Sequence, residues 1–224
     1  LNYSHRMELA ENDFVRVEYD MQANGKLVQT TNEEKGKQAG LDIEEYKPMP
    51  MILGKGFLLK PLDDDILNHQ DDKTHTMDLS AEEAFGKRQK ELIRTFPKSA
   101  FDEQQVRPVV GMTYDFNGTY GTVKSVNGGR VMVDFNNPLA GKEIHLSYRV
   151  VEKITDISEK IGIVLERVLR IPNDMYQVSL KESTVTLSVP EQLVSVKDML
   201  EKSLKEQIPE MEQYELAIET FKKN

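Results

Sequence analysis

The sequence predicts an α+β protein in which one domain is interrupted by a small all-β domain and is followed by a C-terminal α+β domain. Three observations lead to this fold class. Strands with an alternating or β-branched pattern occur before Gly86 and again after Pro138. Short strands separated by glycine and asparagine turns lie between these two positions. From Ser158 onward, apolar residues recur instead at helical spacing.

The chain is expected to open with a β-hairpin. Residues Phe14 to Tyr19 alternate apolar and polar side chains, and Asn24-Gly25 then turns the chain into Lys26 to Val28. The charged stretch from Asn32 to Gly40 is interpreted as a loop or bulge, and residues 49–53 as another short strand.

A short helix is expected to begin near Lys60 or Pro61. Proline is favoured at the first helical position, and the acidic run Asp63 to Asp65 suits the positive end of the helix dipole. We interpret this run as a charge cluster at the start of a helix rather than as a cation site. A strand over residues 73–79 and a compact turn from Ser80 to Gly86 should follow.

The inserted segment is expected to contain four short strands of its own. They are Arg94 to Phe96, Thr113 to Phe116, Gly121 to Val126 and Arg130 to Phe135. A β-branched strand from Ile144 to Ile154 then resembles the first segment of the chain more than it resembles these neighbours. One domain interrupted by another is the simplest interpretation.

The last part of the chain changes to a helical period. An apolar stripe within residues 158–171 predicts a helix, which is followed by strands from Tyr176 to Leu180 and Thr184 to Val189. A second helix is expected over Ser195 to Gln207. Residues 213–221 fit a strand or a helix, and a strand is favoured because two helices packed on three strands close a small α+β domain.

The composition excludes several classes of function. The chain has 224 residues, a net charge of −9 and no cysteine. The negative charge argues against a nucleic-acid partner, and no apolar run is long enough for a membrane helix. The absence of cysteine removes disulfides and thiolate chemistry and fits a reducing compartment, so a cytoplasmic location is predicted. Met7 is interpreted as a native start that follows a cloning leader.

Six motifs in this order and spacing resemble FKBP-type peptidyl-prolyl isomerases. They are VEY (17–19), GKLV (25–28), ILGKG (52–56), the pair Leu58-Leu59, AFG (84–86) and NPLAG (137–141). The resemblance implies an antiparallel sheet wrapping a short helix, built from residues 7–86 and 138–156. Residues 87–137 resemble the insert-in-flap domain of the SlyD class, and residues 157–224 resemble the extra domain of long prokaryotic FKBPs.

The resemblance also implies an apolar pocket that binds proline. Its catalytic residues would be Tyr19, Gln29, Leu58, Leu59, Leu62, Phe85 and Leu146, and its substrate-binding residues would include Val28 and Met49. Gln29 stands where the family usually has aspartate, and Phe85 stands where it usually has tyrosine. Because a hydroxyl donor is missing, a slow isomerase is expected. Neither a cofactor nor a metal is expected, since His69, His75 and His145 lack metal-ligand spacing.

The resemblance also implies that the insert holds unfolded or nascent protein chains, for which adaptable apolar side chains are suited. Its candidate contacts are Val106, Val109, Val110, Met112 and Tyr114. About two thirds of a wider set, which adds Phe96, Phe101 and Phe116 to these five, should form the core of the insert. A homodimer through the C-terminal domain is a further hypothesis. The alternative function is a holdase or adaptor that keeps the FKBP scaffold with an inactive pocket.

Overall fold

A computed structural model describes residues 6–221. Its helices and strands, in chain order, are β1 Phe14–Ala23, β2 Lys26–Thr30, α1 Glu33–Gln38, β3 Met49–Ile52, α2 Lys60–His69, β4 His75–Leu79, β5 Ile93–Pro97, α3 Lys98–Glu103, β6 Thr113–Phe116, β7 Thr119–Asn127, β8 Arg130–Asp134, β9 Ile144–Lys153, α4 Ile157–Ile163, β10 Gln177–Lys181, β11 Thr184–Val189, α5 Glu191–Val194, α6 Lys197–Gln207 and β12 Glu215–Thr220. The architecture is therefore mixed α+β with mostly antiparallel sheets. Within residues 6–221, no helix has the length and apolar character needed to cross a membrane.

The described chain divides into two units. The first comprises residues 6–20, 29–76 and 147–221, and the second comprises residues 21–28 and 77–146. A five-stranded sheet has the order β2-β1-β9-β4, with β3 paired to β1. A four-stranded sheet has the order β5-β8-β7-β6, and a three-stranded sheet has the order β10-β11-β12.

The opening hairpin follows the prediction from sequence. Asn24 and Gly25, which connect β1 and β2, both have positive φ angles, 50° and 76°. Two consecutive positive φ angles define the tight turn whose twist matches that of a strand pair. Strand β3 pairs antiparallel with β1, so that Phe14 lies opposite Ile52 and Val17 lies opposite Met49.

The prediction of a loop or bulge over residues 32–40 is wrong, because α1 occupies this stretch. The Asn32 side chain accepts a hydrogen bond from the Lys35 backbone N at 2.9 Å and so caps the helix. Glu33 in the first turn forms an ion pair with Lys37 one turn later. These signals were present in the sequence, but the charged and glycine-containing composition concealed them.

The prediction of an all-β insert is also wrong in one respect, because the short helix α3 lies between β5 and β6. Phe101 of α3 is buried in a cluster with Val123, Val131 and Val133, against which partly buried aromatic rings pack. The helix therefore supplies a central side chain to this core. The four strands of the segment agree with those predicted, and all their pairings are antiparallel.

The last part of the chain joins the core of the first unit. Helix α4 continues into a π-helical turn, Val164–Val168, and the strand predicted for the last segment is confirmed as β12, which runs parallel to β11. Phe14 and Ile52 share one apolar cluster with buried residues of this part, such as Leu165 and Leu204. The first strands and the last 65 or so residues thus bury their apolar faces together.

Candidate functional site

The loop before α2 places the leucine pair predicted to contact proline. Gly54 and Gly56 have positive φ angles of 85° and 63°, which side chains other than glycine rarely adopt. The Asp63 carboxylate, in the first turns of α2, accepts a hydrogen bond from the Gly56 backbone N at 2.8 Å. Leu58 is half-buried, whereas Leu59 is buried at the helix N-cap. The loop is therefore fixed to the helix that follows it.

Leu62 belongs to the same helix start. Its backbone N donates to the Leu59 carbonyl at 3.0 Å, and its side chain has no exposed surface. Phe57, which precedes Leu58, packs against the apolar cluster of the first unit. Leu59 and Leu62 are buried, so Leu58 is the predicted contact of this loop and helix whose side chain keeps exposed surface for a ligand.

Tyr19 and Gln29 lie together. The Tyr19 hydroxyl donates to Gln29 Oε1 over a long 3.4 Å, and Gln29 is exposed. Tyr19 is half-buried, and its backbone N donates to Thr31 Oγ1 at 2.9 Å. Burial raises the pKa of the Tyr19 hydroxyl, while the positive charge of Arg167 partly opposes this change. The hydroxyl is therefore neutral and able to donate a hydrogen bond.

Met49 is the remaining predicted pocket residue of the first unit. It is half-buried at the start of β3, opposite Val17 of β1, and it lies between Pro48 and Pro50. Because proline has no backbone N–H, its two neighbours limit further strand pairing around Met49. The Met49 side chain is partly exposed.

The second unit contains Val28, Phe85 and Leu146. Val28 and Phe85 are half-buried, and Leu146 is fully buried in β9. Phe85 lies in the compact turn predicted for residues 80–86, which is closed by a hydrogen bond from Gly86 N to the Ala81 carbonyl. The roles of these three residues as pocket contacts stay predictions.

The candidate client contacts of the insert fall into two groups. Val109, Val110 and Met112 are 48%, 60% and 55% exposed in the segment before β6. Tyr114 and Val106 are partly buried against the core of the insert. They also line an apolar cavity of about 500 Å³, together with Phe96, Ala100, Phe101, Gln104, Asp115 and Phe116.

One tyrosine hydroxyl holds the exposed segment in place. Tyr114 donates to the Arg107 carbonyl at 2.9 Å and accepts from the Val109 backbone N at 3.1 Å. These two bonds fix residues 107–109 beside β6. The sequence suggested Tyr114 as a client contact but gave no sign of this anchoring role.

A polar network on α2 was not foreseen. The Tyr148 hydroxyl donates to Asp65, and burial together with that carboxylate raises the tyrosine pKa. The rings of His69 and His75 have centroids 3.9 Å apart and are tilted by 31°, and His75 Nε2 lies 2.7 Å from Asp71 Oδ1. Within residues 6–221, no three or more histidine, aspartate or glutamate side chains are grouped as a metal site requires.

Comparison with known proteins identifies relatives for most of the chain. A family model described as FKBP26, IF domain, matches residues 94–139. A short-type peptidyl-prolyl cis-trans isomerase of Methanocaldococcus jannaschii is 28% identical over 63% of this chain and 92% of the relative. An FKBP-type 16 kDa isomerase of Escherichia coli is 30% identical over 47% of this chain and 74% of the relative. SlyD of Helicobacter pylori is 27% identical over 55% of this chain and 69% of the relative.

The fold and these matches together define the class of protein. The mixed α+β architecture, with a mostly antiparallel sheet and a glycine-containing loop before α2, is consistent with an FKBP-like fold. The chain belongs to the FKBP-type peptidyl-prolyl cis-trans isomerase family. The SlyD relative and the match to an insert-in-flap (IF) domain agree with a SlyD-like member, so the family predicted from the sequence motifs is confirmed.

Proposed function

We propose that this protein is a peptidyl-prolyl isomerase that acts on unfolded or partly folded chains held by its inserted segment. One observation carries the proposal. Relatives named as isomerases align over 110 to 144 residues, and the model of an IF domain matches residues 94–139 of the same chain. The proposed domains are residues 7–86 with 138–156 for isomerisation, 87–137 for client holding and 157–224 as an extra domain.

The reaction needs no bond to the protein and no cofactor. Rotation about an X-Pro bond crosses a barrier of about 18–20 kcal/mol that is set by amide resonance. A catalyst must bind the twisted amide more tightly than either planar isomer. Tyr19, Met49 and Leu58, each half-buried, supply apolar surface that removes the amide from water and so favours the less polar twisted form. Correctly placed hydrogen-bond donors would complete this stabilisation.

The isomerase is proposed to be slow. Because Gln29 replaces the usual aspartate, the Tyr19 hydroxyl is held only by a long 3.4 Å bond to a neutral carboxamide, which orients the tyrosine weakly. Phe85 lacks the hydroxyl of the usual tyrosine. One donor to a buried carbonyl contributes about 1–3 kcal/mol, so its absence reduces the stabilisation of the twisted amide.

Client holding is assigned to Val109, Val110 and Met112. Their exposed apolar side chains lie next to the apolar cavity lined by Val106 and Tyr114. Methionine adapts readily to varied apolar partners. Tethering a client at the insert raises its effective concentration at the isomerase site, so two weak sites act together.

The test is proline-limited refolding of a reporter protein with catalytic amounts of the full chain. We expect catalytic turnover in the wild type. Replacing all three of Val109, Val110 and Met112 by serine should reduce the acceleration of refolding about tenfold. Activity on a short proline peptide should not change in this variant. Replacing Val151 and Leu180 with serine is the matched control, since both are 38% exposed and lie outside the insert.

The outcomes separate the two functions. Acceleration of neither the peptide nor the reporter, with aggregation of the reporter suppressed only near one equivalent, would mean a holdase on an FKBP scaffold. Acceleration of the reporter that survives the triple serine variant would contradict client holding by the insert and leave the isomerase proposal standing.

We also propose a homodimer formed through the C-terminal part of the chain, in a reducing compartment such as the cytoplasm. Val196 and Met199, which are 36% and 55% exposed around the start of α6, would contribute apolar side chains to the interface. A mass measurement in solution tests this. Monomer at micromolar concentration would refute the dimer, and a dimer lost on replacing Met199 with lysine would support it.

A further inference from the structure

Two connections join the inserted sheet to the rest of the second unit, residues 86–92 before β5 and residues 135–143 after β8. At one end of this pair, the Gly141 backbone N donates to the Gly86 carbonyl at 2.8 Å. At the other end, β5 and β8 pair antiparallel in the sheet of the insert. The two connections therefore run side by side as a stem.

The side chain of Asn136 links the two connections between these ends. Its Oδ1 accepts a hydrogen bond from the Gln89 backbone N at 2.8 Å, and its Nδ2 donates to the Gln89 carbonyl at 2.9 Å. The carboxamide thus exchanges both bonds with the opposite backbone, as a residue of a neighbouring antiparallel strand does. Asn136 is only 9% exposed, so the protein shields these bonds from water.

Asp134 fixes the side chain of Asn136. Its Oδ1 accepts from the Asn136 backbone N at 3.0 Å and from Asn136 Nδ2 at 2.7 Å. Its Oδ2 forms an ion pair with Arg88 of the first connection and lies 3.9 Å from Lys124 Nζ. Asp134 is 4% exposed, and a buried carboxylate is costly unless donors and cations compensate its charge. Here hydrogen-bond donors and cations both do so.

Lys124 reaches this carboxylate from a bulge in β7. The pairing of β7 with β8 shifts in register between Val123 and Ser125, which leaves Lys124 as the extra residue. A β-bulge re-aims the side chain of its extra residue. The sheet of the insert and both connections thus contribute to one group of bonded residues. We call this group the stem network, and it consists of Arg88, Gln89, Lys124, Asp134 and Asn136.

The stem network fixes a segment whose composition alone is typical of a flexible linker. Residues 87–91 are all exposed and are charged or polar. A buried polar network whose members have partners makes the structure around it rigid. The effective concentration that tethering gives to a client depends on the length and the stiffness of the tether. A rigid stem therefore changes how efficiently a client held by the insert reaches a second site.

We propose that Asn136 and Asp134 are positioning residues, which keep the stem rigid so that a client held by the insert is transferred efficiently to the proline-binding pocket. The inference rests on the isomerase and client-holding functions proposed above. Asn136 acts through Gln89 and Asp134 through Arg88, so neither needs to touch the client. The first connection begins next to Phe85, one of the proposed pocket residues, and the stem thus joins the holding segment to that residue.

The experiment uses the full chain and two measurements. The Kd for a permanently unfolded client measures holding, and the kcat for proline-limited refolding of a reporter protein measures transfer with isomerisation. Asn136→Ala removes the bonds to Gln89 and should lower this kcat about three- to tenfold while the Kd stays unchanged. Its kcat/KM on a short proline peptide, which does not depend on holding, should equal that of the wild type.

Arg88→Ala is a second variant, because Arg88 is exposed and its truncation opens no core. It removes the ion pair with Asp134 and should lower the refolding kcat about twofold, again with an unchanged Kd. Asp102→Asn is the control, since it breaks an exposed ion pair with Lys98 inside the insert and leaves the stem intact. Both quantities should equal those of the wild type in this control.

The outcomes separate the inference from the proposed function. A wild-type kcat in both Asn136→Ala and Arg88→Ala would overturn the inference and leave the isomerase proposal standing. A higher Kd with an unchanged kcat would overturn it too, because the stem network would then only support the fold of the insert. If Asn136→Ala does not fold, Arg88→Ala decides by the same two criteria. No acceleration by the wild type would overturn the proposed function, and the inference with it.

Discussion

The Lys160 ammonium donates a hydrogen bond to Glu210 Oε1 at 2.5 Å, across 50 residues of chain. The lysine side chain is only 6% exposed, and its Nζ also lies 5.4 Å from the centre of the Phe14 ring. One side chain of α4 thus joins the first strand of the chain to the helical turn Pro209–Gln213. A buried ammonium is costly unless a partner compensates its charge. The buried Lys160 therefore depends on the pair more than the half-exposed Glu210 does.

We predict that Glu210→Gln destabilises the protein more than Lys160→Met does. The first variant leaves a buried ammonium without a carboxylate, at a cost of about 1–3 kcal/mol. The second keeps the apolar stem, and it frees a carboxylate that is 46% exposed and can be hydrated, at a cost under about 1 kcal/mol. Urea unfolding followed by tyrosine fluorescence measures both, since the chain has no tryptophan. Glu201→Gln breaks an exposed pair with Lys205 and should change stability by less than about 0.5 kcal/mol. Equal losses would refute the asymmetry.

The contribution of Glu210 should depend on pH. Burial raises the pKa of this carboxyl, but hydrogen bonds from Lys160 and the backbone outweigh burial and lower it below the ordinary 4.5. A lowered pKa in the folded state gives stability that is present above 4.5 and is lost as pH falls through the lowered value. The difference in stability between the wild type and Glu210→Gln should therefore shrink between neutral pH and about pH 3. A difference that is constant over this range would contradict the assignment.

The sequence predicted the positions of most strands and the family because these depend on local patterns. Alternation, the Asn24-Gly25 turn and the glycine motifs can each be recognised within a few residues. The Lys160 pair could not be found in this way, because nothing near Lys160 indicates a partner 50 residues later. Tyr148 and Asp65 form a similar long-range pair, 83 residues apart. The missed helix α1 is a different case, since the Asn32 cap was visible in the sequence but was outweighed by composition.

Asp63 shows how burial changes the meaning of a charge cluster. The sequence suggested a charge cluster at the start of a helix, but Asp63 has no exposed surface and its Oδ1 has no partner among the described residues. Burial raises the pKa of this carboxyl above its ordinary 3.8, although hydrogen bonds from the backbone of Gly56 and Gly54 oppose the change. The stability that depends on this group is present below pH 3.8 and is lost as pH rises through the raised pKa.

We therefore predict that Asp63→Asn gains stability relative to the wild type as pH rises from about 3.5 to neutral. The asparagine cannot ionise, and its carbonyl can still accept from Gly56. Thermal unfolding of both proteins at several pH values measures the trend. Asp64→Asn, an exposed neighbour that pairs with Lys60, serves as the control and should show a much smaller trend. If the stability of Asp63→Asn relative to the wild type fell as pH rises, the backbone hydrogen bonds to Asp63 would outweigh its burial.

Gln29→Asp and Phe85→Tyr should each raise the rate on a short proline peptide. An aspartate would accept from the Tyr19 hydroxyl through a shorter, charge-assisted bond than the present 3.4 Å and would orient it. The added tyrosine hydroxyl would supply a donor of about 1–3 kcal/mol, so kcat/KM should rise roughly tenfold. Exchange NMR measures both variants, and Gln192→Asp, an exposed glutamine of α5, is the control. No gain from either substitution would count against the pocket assignment.

Tyr114→Phe should loosen the segment proposed to hold clients without emptying the core of the insert. The ring is kept, but the hydroxyl bonds to the Arg107 carbonyl and the Val109 N are lost, at a cost of about 1–2 kcal/mol. Amide exchange at Val109 should become about tenfold faster, since local opening costs less free energy. Tyr120→Phe is the matched control, because Tyr120 is 68% exposed and its hydroxyl has no hydrogen bond within residues 6–221. Equal exchange rates in Tyr114→Phe and Tyr120→Phe would contradict the prediction, because they would show that apolar contacts alone hold the segment. If Tyr114→Phe also binds unfolded chains more weakly, the loss of affinity measures how far the two Tyr114 hydrogen bonds preorganise residues 107–109 for binding.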